Sequence, residues 1–284
     1  MGAEAPQGAE AAAEGARPVA IERFSDAASR AANDRVAHEE PLEIQLDGTP
    51  LSVVMRTPGQ DLELALGFLL TERVIAAPSD LASLRHESVL AHDAAAENVV
   101  RATLRPGLAV DVERLRRNFY ASSSCGVCGK ASLEEVLATA PPLDDPSRFD
   151  PALLYDLPAR LREAQCGFAA TGGLHAAALF DADGKLLVVR EDVGRHNAVD
   201  KVVGFAAAAG RLPLAGHGLL VSGRISFEIV QKALAARIPL VAAVSAPSSL
   251  AVRLAAAGGV GLVGFLRGRS FNAYGSAWRL RREA

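Results

Sequence analysis

The chain has 284 residues, half of them apolar, three cysteines and a formal net charge of −3. That length and apolar share suffice for roughly two domains with a buried core. Three thiols do not make a disulfide framework, which points to the reducing cytosol, and the slight negative charge offers no global field for nucleic acid. No stretch approaches the ~18 uninterrupted apolar residues of a membrane helix, so a soluble, cytoplasmic protein with no membrane or nucleic-acid partner is expected.

Residues 1–16 are mostly Ala, Glu and Gly with little to bury, and read as a disordered tail. Residues 17–118 read as a small α+β domain. In it Leu42, Ile44 and Leu46 alternate with polar residues, Asp47-Gly48 supplies a turn, and Leu51 to Met55 returns as a strand. Leu62, Leu66, Leu69 and Leu70 then recur at helical spacing from Asp61, the expected N-cap, to about Ile75. A strand is expected at Val99 to Leu104. Residues 119–131 read as a mobile loop that carries Cys125-Gly126-Val127-Cys128.

Residues 132–284 read as an α/β domain that holds a ligand. A short helix at Ser132 to Ala138 leads to a proline-dotted connector, Pro141 to Pro158, with one weak helical piece. Ala176 to Phe180 and Leu186 to Arg190 form a second hairpin about Asp181-Ala182-Asp183-Gly184. The short apolar runs Leu219 to Ser222, Leu240 to Val244 and Val260 to Phe265 alternate with helical segments at about 226–237 and 249–257. This is β-α-β-α-β, hence a locally parallel sheet. Such sheets bind ligands beyond the carboxyl ends of their strands. Those ends carry Ser222-Gly223-Arg224, Ser245-Ala246-Pro247 and Phe265-Leu266-Arg267-Gly268-Arg269-Ser270. Three arginines and two helix N-termini there suit a nucleotide-like anion.

Cys125 and Cys128 sit among Ser and Gly, which argues against a buried pair of small hydrophobes. A zinc site would need Cys166 and a histidine as further ligands, with no second paired spacing to supply them. A thioredoxin-type pair should end a strand of a βαβ unit, which the preceding Arg116-Arg117-Asn118 does not suggest. The remaining reading is an accessible thiolate, its acidity raised by Lys130 and by backbone amides, able to accept and pass on sulfur. Thr171-Gly172-Gly173-Leu174-His175 is either a backbone held close to a ligand or a turn. In Glu191-Asp192-Val193-Gly194-Arg195-His196-Asn197, Asn197 with Asp200 looks like a helix cap, which leaves Arg195 and His196 outside it as functional candidates. His196 is either an acid-base group or a scaffold bonded to Asp192. Lys201 and Lys232 are expected to face solvent from their helices, and Cys166 to be a buried small residue.

Taken together, Ser124-Cys125-Gly126-Val127-Cys128-Gly129, Thr171 to His175, Glu191 to Lys201 and Ser222-Gly223-Arg224-Ile225-Ser226-Phe227-Glu228 resemble the formate dehydrogenase accessory sulfurtransferase family (FdhD family). Gln231-Lys232-Ala233 and Ser245 to Ser249 extend the likeness, which spans most of residues 35 to 275. The resemblance implies a cytidine-deaminase-like α/β fold and a homodimer. It also implies transfer of persulfide sulfur from a cysteine desulfurase to a molybdenum bis-pterin guanine dinucleotide cofactor, the bound substrate, as formate dehydrogenase requires. By position Cys125 matches the persulfide carrier, with Cys128 its partner, and Phe265 to Ser270 match the cofactor-binding segment. Ser222, Arg224, Arg195 and His196 complete the expected site, with no metal ligands. The deaminase signature His-x-Glu with Pro-Cys-x-x-Cys is absent, so deamination is not implied. The competing readings are a non-catalytic cofactor chaperone, whose cysteines dock partners or sense redox state, and a zinc-binding regulator.

Overall fold

The computed structural model describes residues 15–26, 28–87, 98–108, 110 and 133–281, so Cys125, Cys128 and the expected 119–131 loop lie outside the described residues. Strands β1 (Ala16–Ser25) and β2 (Ala28–Ala37) pair antiparallel into a ribbon for which the sequence had given no expectation. Ala16, read as the last residue of the tail, opens β1 and is buried. Strands β3 (Glu40–Leu46) and β4 (Thr49–Arg56) form the expected hairpin, with Gly48 at φ 79 in its turn. Leu42, Ile44 and Leu46 point into a core shared with helix α1 (Asp61–Thr71).

Asp61 is not the N-cap of α1. Gln60 precedes the helix in a left-handed conformation, while the Asp61 carboxylate accepts from Arg56 Nε and Nη2 at 3.0 and 2.7 Å. Pairing with the buried guanidinium outcompetes capping. The helix also ends at Thr71, short of Ile75, because the chain turns at Arg73 (φ 58) and folds Val74 and Ile75 beneath it. Strands β5 (Leu81–His86) and β6 (Val99–Leu104) complete a sheet ordered β4-β3-β6-β5.

Helix α2 (Leu133–Thr139) precedes the connector, which holds α3 (Pro151–Leu154) and α4 (Leu157–Ala164) rather than one weak piece. Helix α5 (Cys166–Thr171) follows. Then come β7 (His175–Phe180), β8 (Leu186–Asp192), α6 (Arg195–Ala208), β9 (Gly218–Val221), α7 (Phe227–Ala235), β10 (Leu240–Ala243), α8 (Ser249–Gly258), β11 (Gly261–Arg267) and β12 (Ser270–Gly275). The expected β-α-β-α-β unit is present. β9, β10 and β11 are parallel, β7 runs antiparallel to β8 and β9, and β12 closes the edge, in the order β12-β11-β10-β9-β7-β8.

The apolar strands β7, β9, β10 and most of β11 are buried on both faces, as the centre of a sheet between two helical layers must be. On one face Val199, Val202, Ile229 and Leu254 pack against Ala177, Leu219 and Val241. On the other, Phe149, Leu157 and Leu161 pack against Phe180, Leu220 and Val263. The smaller sheet joins this body where α1 crosses α6. There Gly67 and Gly204 let the backbones touch, since a Cβ on Gly67 would overlap the Asp200 carbonyl and one on Gly204 the Glu63 carbonyl. Arg190 clamps the seam with a two-pronged bond to Glu63 at 2.6 and 2.8 Å. Among the described residues no helix is long and apolar enough to cross a membrane.

Candidate functional site

Because β8 to β11 run one way and β7 and β12 the other, a single edge of the large sheet collects four strand ends and two strand starts. Every expected site residue inside the described part of the chain lies there: Arg195 and His196 after β8, Ser222 and Arg224 after β9, and Phe265 to Ser270 at the β11–β12 turn. The edge is also where the N-termini of α6, α7 and α8 arrive, each with unsatisfied N–H groups directed toward it.

The Phe265 to Ser270 segment is a bulged turn. Gly264 packs against Pro247 and Ser245, so tightly that a side chain would collide with the proline ring, and Phe265 takes a left-handed backbone (φ 55) with its N–H donating to Ser245 O at 3.1 Å. A non-glycine residue held in that region is strained, and the bulge turns the following residues off the regular strand pleat. Phe265 is exposed, whereas Leu266 is buried in the core and anchors the segment. Arg267 Nε donates to Val244 O at 3.2 Å, Ser270 Oγ donates to Arg267 O at 3.3 Å, and the Arg269 guanidinium lies 5.2 Å from the Tyr155 ring centre. The three arginines thus share an edge but have separate neighbours, and Arg224 is exposed.

Arg195 and His196 are not outside a cap. The N-cap of α6 is Gly194, and both residues occupy the first helical turn. Asn197 is no cap either, because its amide donates to Asp192 Oδ1 at 2.9 Å and to Met55 O at 2.7 Å, tying α6 to β4. Nor does His196 bond to Asp192: its Nε2 lies 3.2 Å from Ser226 Oγ and 3.9 Å from Glu228 Oε2. Burial, helped by Arg195 and Lys232, pushes the His196 imidazole down to about 4. Burial and Arg195 also lower His175. Both rings are therefore neutral at neutral pH, and the positive charge of the edge is carried by its arginines. Arg195 Nε is buried and has no partner among the described residues.

Helices α4 and α5 fold over the same edge and leave a cleft of about 420 Å³, lined among others by Arg162, Gln165, Phe168, Gly173, His175 and Ser222. Arg162 stacks 4.2 Å from the Phe168 ring centre. Ser222 Oγ accepts from Ala176 N at 2.9 Å, which fixes the β7 start against β9. Thus Gly172 to His175 serve as both turn and cleft wall. Arg162, Gln165 and Phe168 carried no recognisable spacing in the sequence, since only the folding of α4 and α5 across the edge brings them to it. Cys166 is exposed rather than buried, because α5 packs through Gly167, whose N–H donates to Glu191 at 2.8 Å.

Lys201 and Lys232, expected at the surface, are buried. Lys201 Nζ is 2.8 Å from Asp192 Oδ2 and donates to Thr57 O at 2.9 Å. Asp192 also accepts from Thr57 N and Gly194 N, so this buried ion pair fixes the turn that starts α6. Lys232 bridges Asp200, Thr71 and Glu72.

Fold and edge define a three-layered α/β protein with an arginine-bearing carboxyl edge overhung by a cleft. The match to the model of the FdhD/NarQ family covers residues 37–281, and the chain belongs to that family. It is 54% identical over 262 residues to the sulfur carrier protein FdhD of Streptomyces coelicolor, covering 91% of this chain and 93% of that one. With the sulfur carrier protein FdhD of Mycobacterium tuberculosis it shares 53% identity over 253 residues, 87% and 92% of the respective chains. Among solved structures, a putative formate dehydrogenase accessory protein from Desulfotalea psychrophila superposes with a TM-score of 0.72 at 20% identity, covering 94% of this chain and 99% of that one.

Proposed function

We propose that this protein is a cytoplasmic sulfur carrier in the service of formate dehydrogenase, acting as a sulfurtransferase through a persulfide on Cys125. The observation that carries the reading is identity above one half, over nine-tenths of the chain, to a protein named as a sulfur carrier. In this chain Cys125-Gly126-Val127-Cys128 supplies the thiols that such a role needs. The Cys125 thiolate attacks the outer sulfur of a persulfide on a cysteine desulfurase, the donor leaves as a thiolate, and Cys125 keeps the outer sulfur. Attack of the Cys128 thiolate on the inner sulfur then releases the outer atom as hydrosulfide. The two electrons come from the thiol pair, which ends as a disulfide.

The recipient in this reading is the molybdenum bis-pterin guanine dinucleotide cofactor, bound as a substrate at the carboxyl edge. Support comes from the chemistry there: Arg267 and Arg269 on the bulged turn, and Arg224 and Arg195 near helix N-termini. Kinship with cytidine deaminases and assembly as a homodimer belong to the same reading.

The test is a Cys125→Ala variant incubated with desulfurase, labelled cysteine and the cofactor. Retained cofactor binding without label on the molybdenum is expected. Label that still reaches the metal would overturn the mechanism, and equal support of formate dehydrogenase by variant and wild type would favour a non-catalytic chaperone.

A further inference from the structure

Over Gly223, on the turn that follows β9, lies a space the size of a methyl group. A Cβ built on Gly223 would sit 3.4 Å from His175 Nδ1, 3.7 Å from His175 Cε1 and 3.9 Å from Arg195 Cδ, all ordinary contact distances. Gly223 is not among the glycines with a left-handed backbone, so chain direction does not demand glycine here.

Both side chains that wall this space have donors to spare. Arg195 Nε is buried and unpartnered, and the guanidinium makes no hydrogen bond or ion pair among the described residues. The His175 ring is held by burial and by neighbouring charges, with no hydrogen bond among the described residues. The Arg195 charge is also unanswered. Asp192, the carboxylate that acts on His175, is taken by Lys201 at 2.8 Å. Glu228 reaches His196, at 3.9 Å, and no nitrogen of Arg195. Buried donors without partners are costly and persist where a ligand completes them.

We infer that Arg195, His175 and Gly223 form a seat for one compact monoanion, and that in the proposed cycle this anion is the hydrosulfide released from Cys125. Sulfur and a methyl group are close in size, so hydrosulfide fills the space that a Cβ would fill, whereas a phosphate group is too bulky for it. Its lone pairs accept from Arg195 Nε and His175 Nδ1, and its charge meets the guanidinium. The exposed Arg224, Arg267 and Arg269 are left for the larger anion at the rim. His175 and Ser222 also line the cleft, so the seat adjoins the edge at which the acceptor is proposed to bind.

The identity of the anion rests on the proposed sulfur carriage; the existence of the seat does not. Chloride, a compact monoanion inert to thiols, is the probe. Full-length protein is expected to broaden the chloride-35 NMR line, and hydrosulfide added without oxygen to narrow it again. Arg195→Gln and Gly223→Ala, the second of which places a methyl group in the seat, should each remove at least half of the broadening. Arg253→Gln, on the exposed side of α8, should not. A Cβ on Gly223 meets only ordinary contacts, so that variant tests the seat even where Arg195→Gln lowers stability. Broadening that survives in Gly223→Ala, or that Arg253→Gln removes equally, marks an adventitious ion only and overturns the seat. Broadening that hydrosulfide does not reverse overturns the assignment to sulfur. A seat confirmed by these variants in a protein whose Cys125 takes up no sulfur from the desulfurase, as read by mass spectrometry, overturns the carrier reading and leaves the seat standing.

Discussion

Lys232 Nζ lies 2.9 and 2.8 Å from the two carboxylate oxygens of Asp200, and both side chains are buried where α1, α6 and α7 meet. Burial pushes Asp200 up to about 6. Burial alone would lower Lys232, but Asp200 and Glu72 outweigh it and the ammonium is raised. Removing one member of such a pair strands the other without water. Asp200→Ala is therefore expected to lose about 3–5 kcal/mol in urea unfolding. Asp200→Leu combined with Lys232→Met leaves no lone buried charge of this pair, and should cost less than half as much.

The α1–α6 crossing depends on two missing side chains. Gly67→Ala and Gly204→Ala each force a methyl group into a facing carbonyl, which only helix separation can relieve. Each is expected to cost at least ~3 kcal/mol, the upper end of overpacking penalties, because backbone cannot rotate away. Thermal unfolding measures it, and Gly48→Ala, in a turn with open space around it, isolates the smaller cost of the positive φ.

Two buried groups give stability opposite slopes against pH. His196 falls from 6.5 to about 4 on folding, so the unfolded chain binds more protons between those values and this group makes stability rise with pH. Asp200 rises from 3.8 to about 6, so the folded chain binds more protons and stability falls as pH rises through that window. Between about pH 4 and 6 these two contributions oppose each other. His196→Gln is expected to tilt the curve downward with pH and Asp200→Asn to tilt it upward, as read from urea midpoints. Parallel curves for both variants would contradict these assignments.

The bulged turn predicts a division of labour among its residues. With GDP as the probe, Arg267→Ala and Arg269→Ala should each weaken binding about tenfold, as expected for a charge-assisted hydrogen bond, with little change in melting temperature. Leu266→Ala should instead lower stability by about 2–5 kcal/mol, because its side chain is core. Isothermal titration and thermal unfolding separate the two effects.

Much of the large sheet was legible because its signal is local. Apolar runs near Leu219, Leu240 and Val260 with amphipathic helices between them specify parallel strands, and that topology placed Ser222, Arg224 and Phe265 to Ser270 on one edge. The β1–β2 ribbon was not legible: charges fall on both of its faces, so no period-two contrast marks the strands.

What the sequence by itself determined is the order and type of the strong elements and the edge at which the arginines would gather. Tertiary structure alone decided the charges inside. Lys232 is buried because Glu72, Thr71 and Asp200 reach it from other helices, and Lys201 because Thr57 and Asp192 close over it. Asp61 surrendered capping to Arg56, five residues back, which the fold buries, and Asn197 surrendered it for a bond across the fold to Met55. A side chain's burial is set by neighbours brought from distant parts of the chain, whereas a strand's apolar pattern is written within its own few residues.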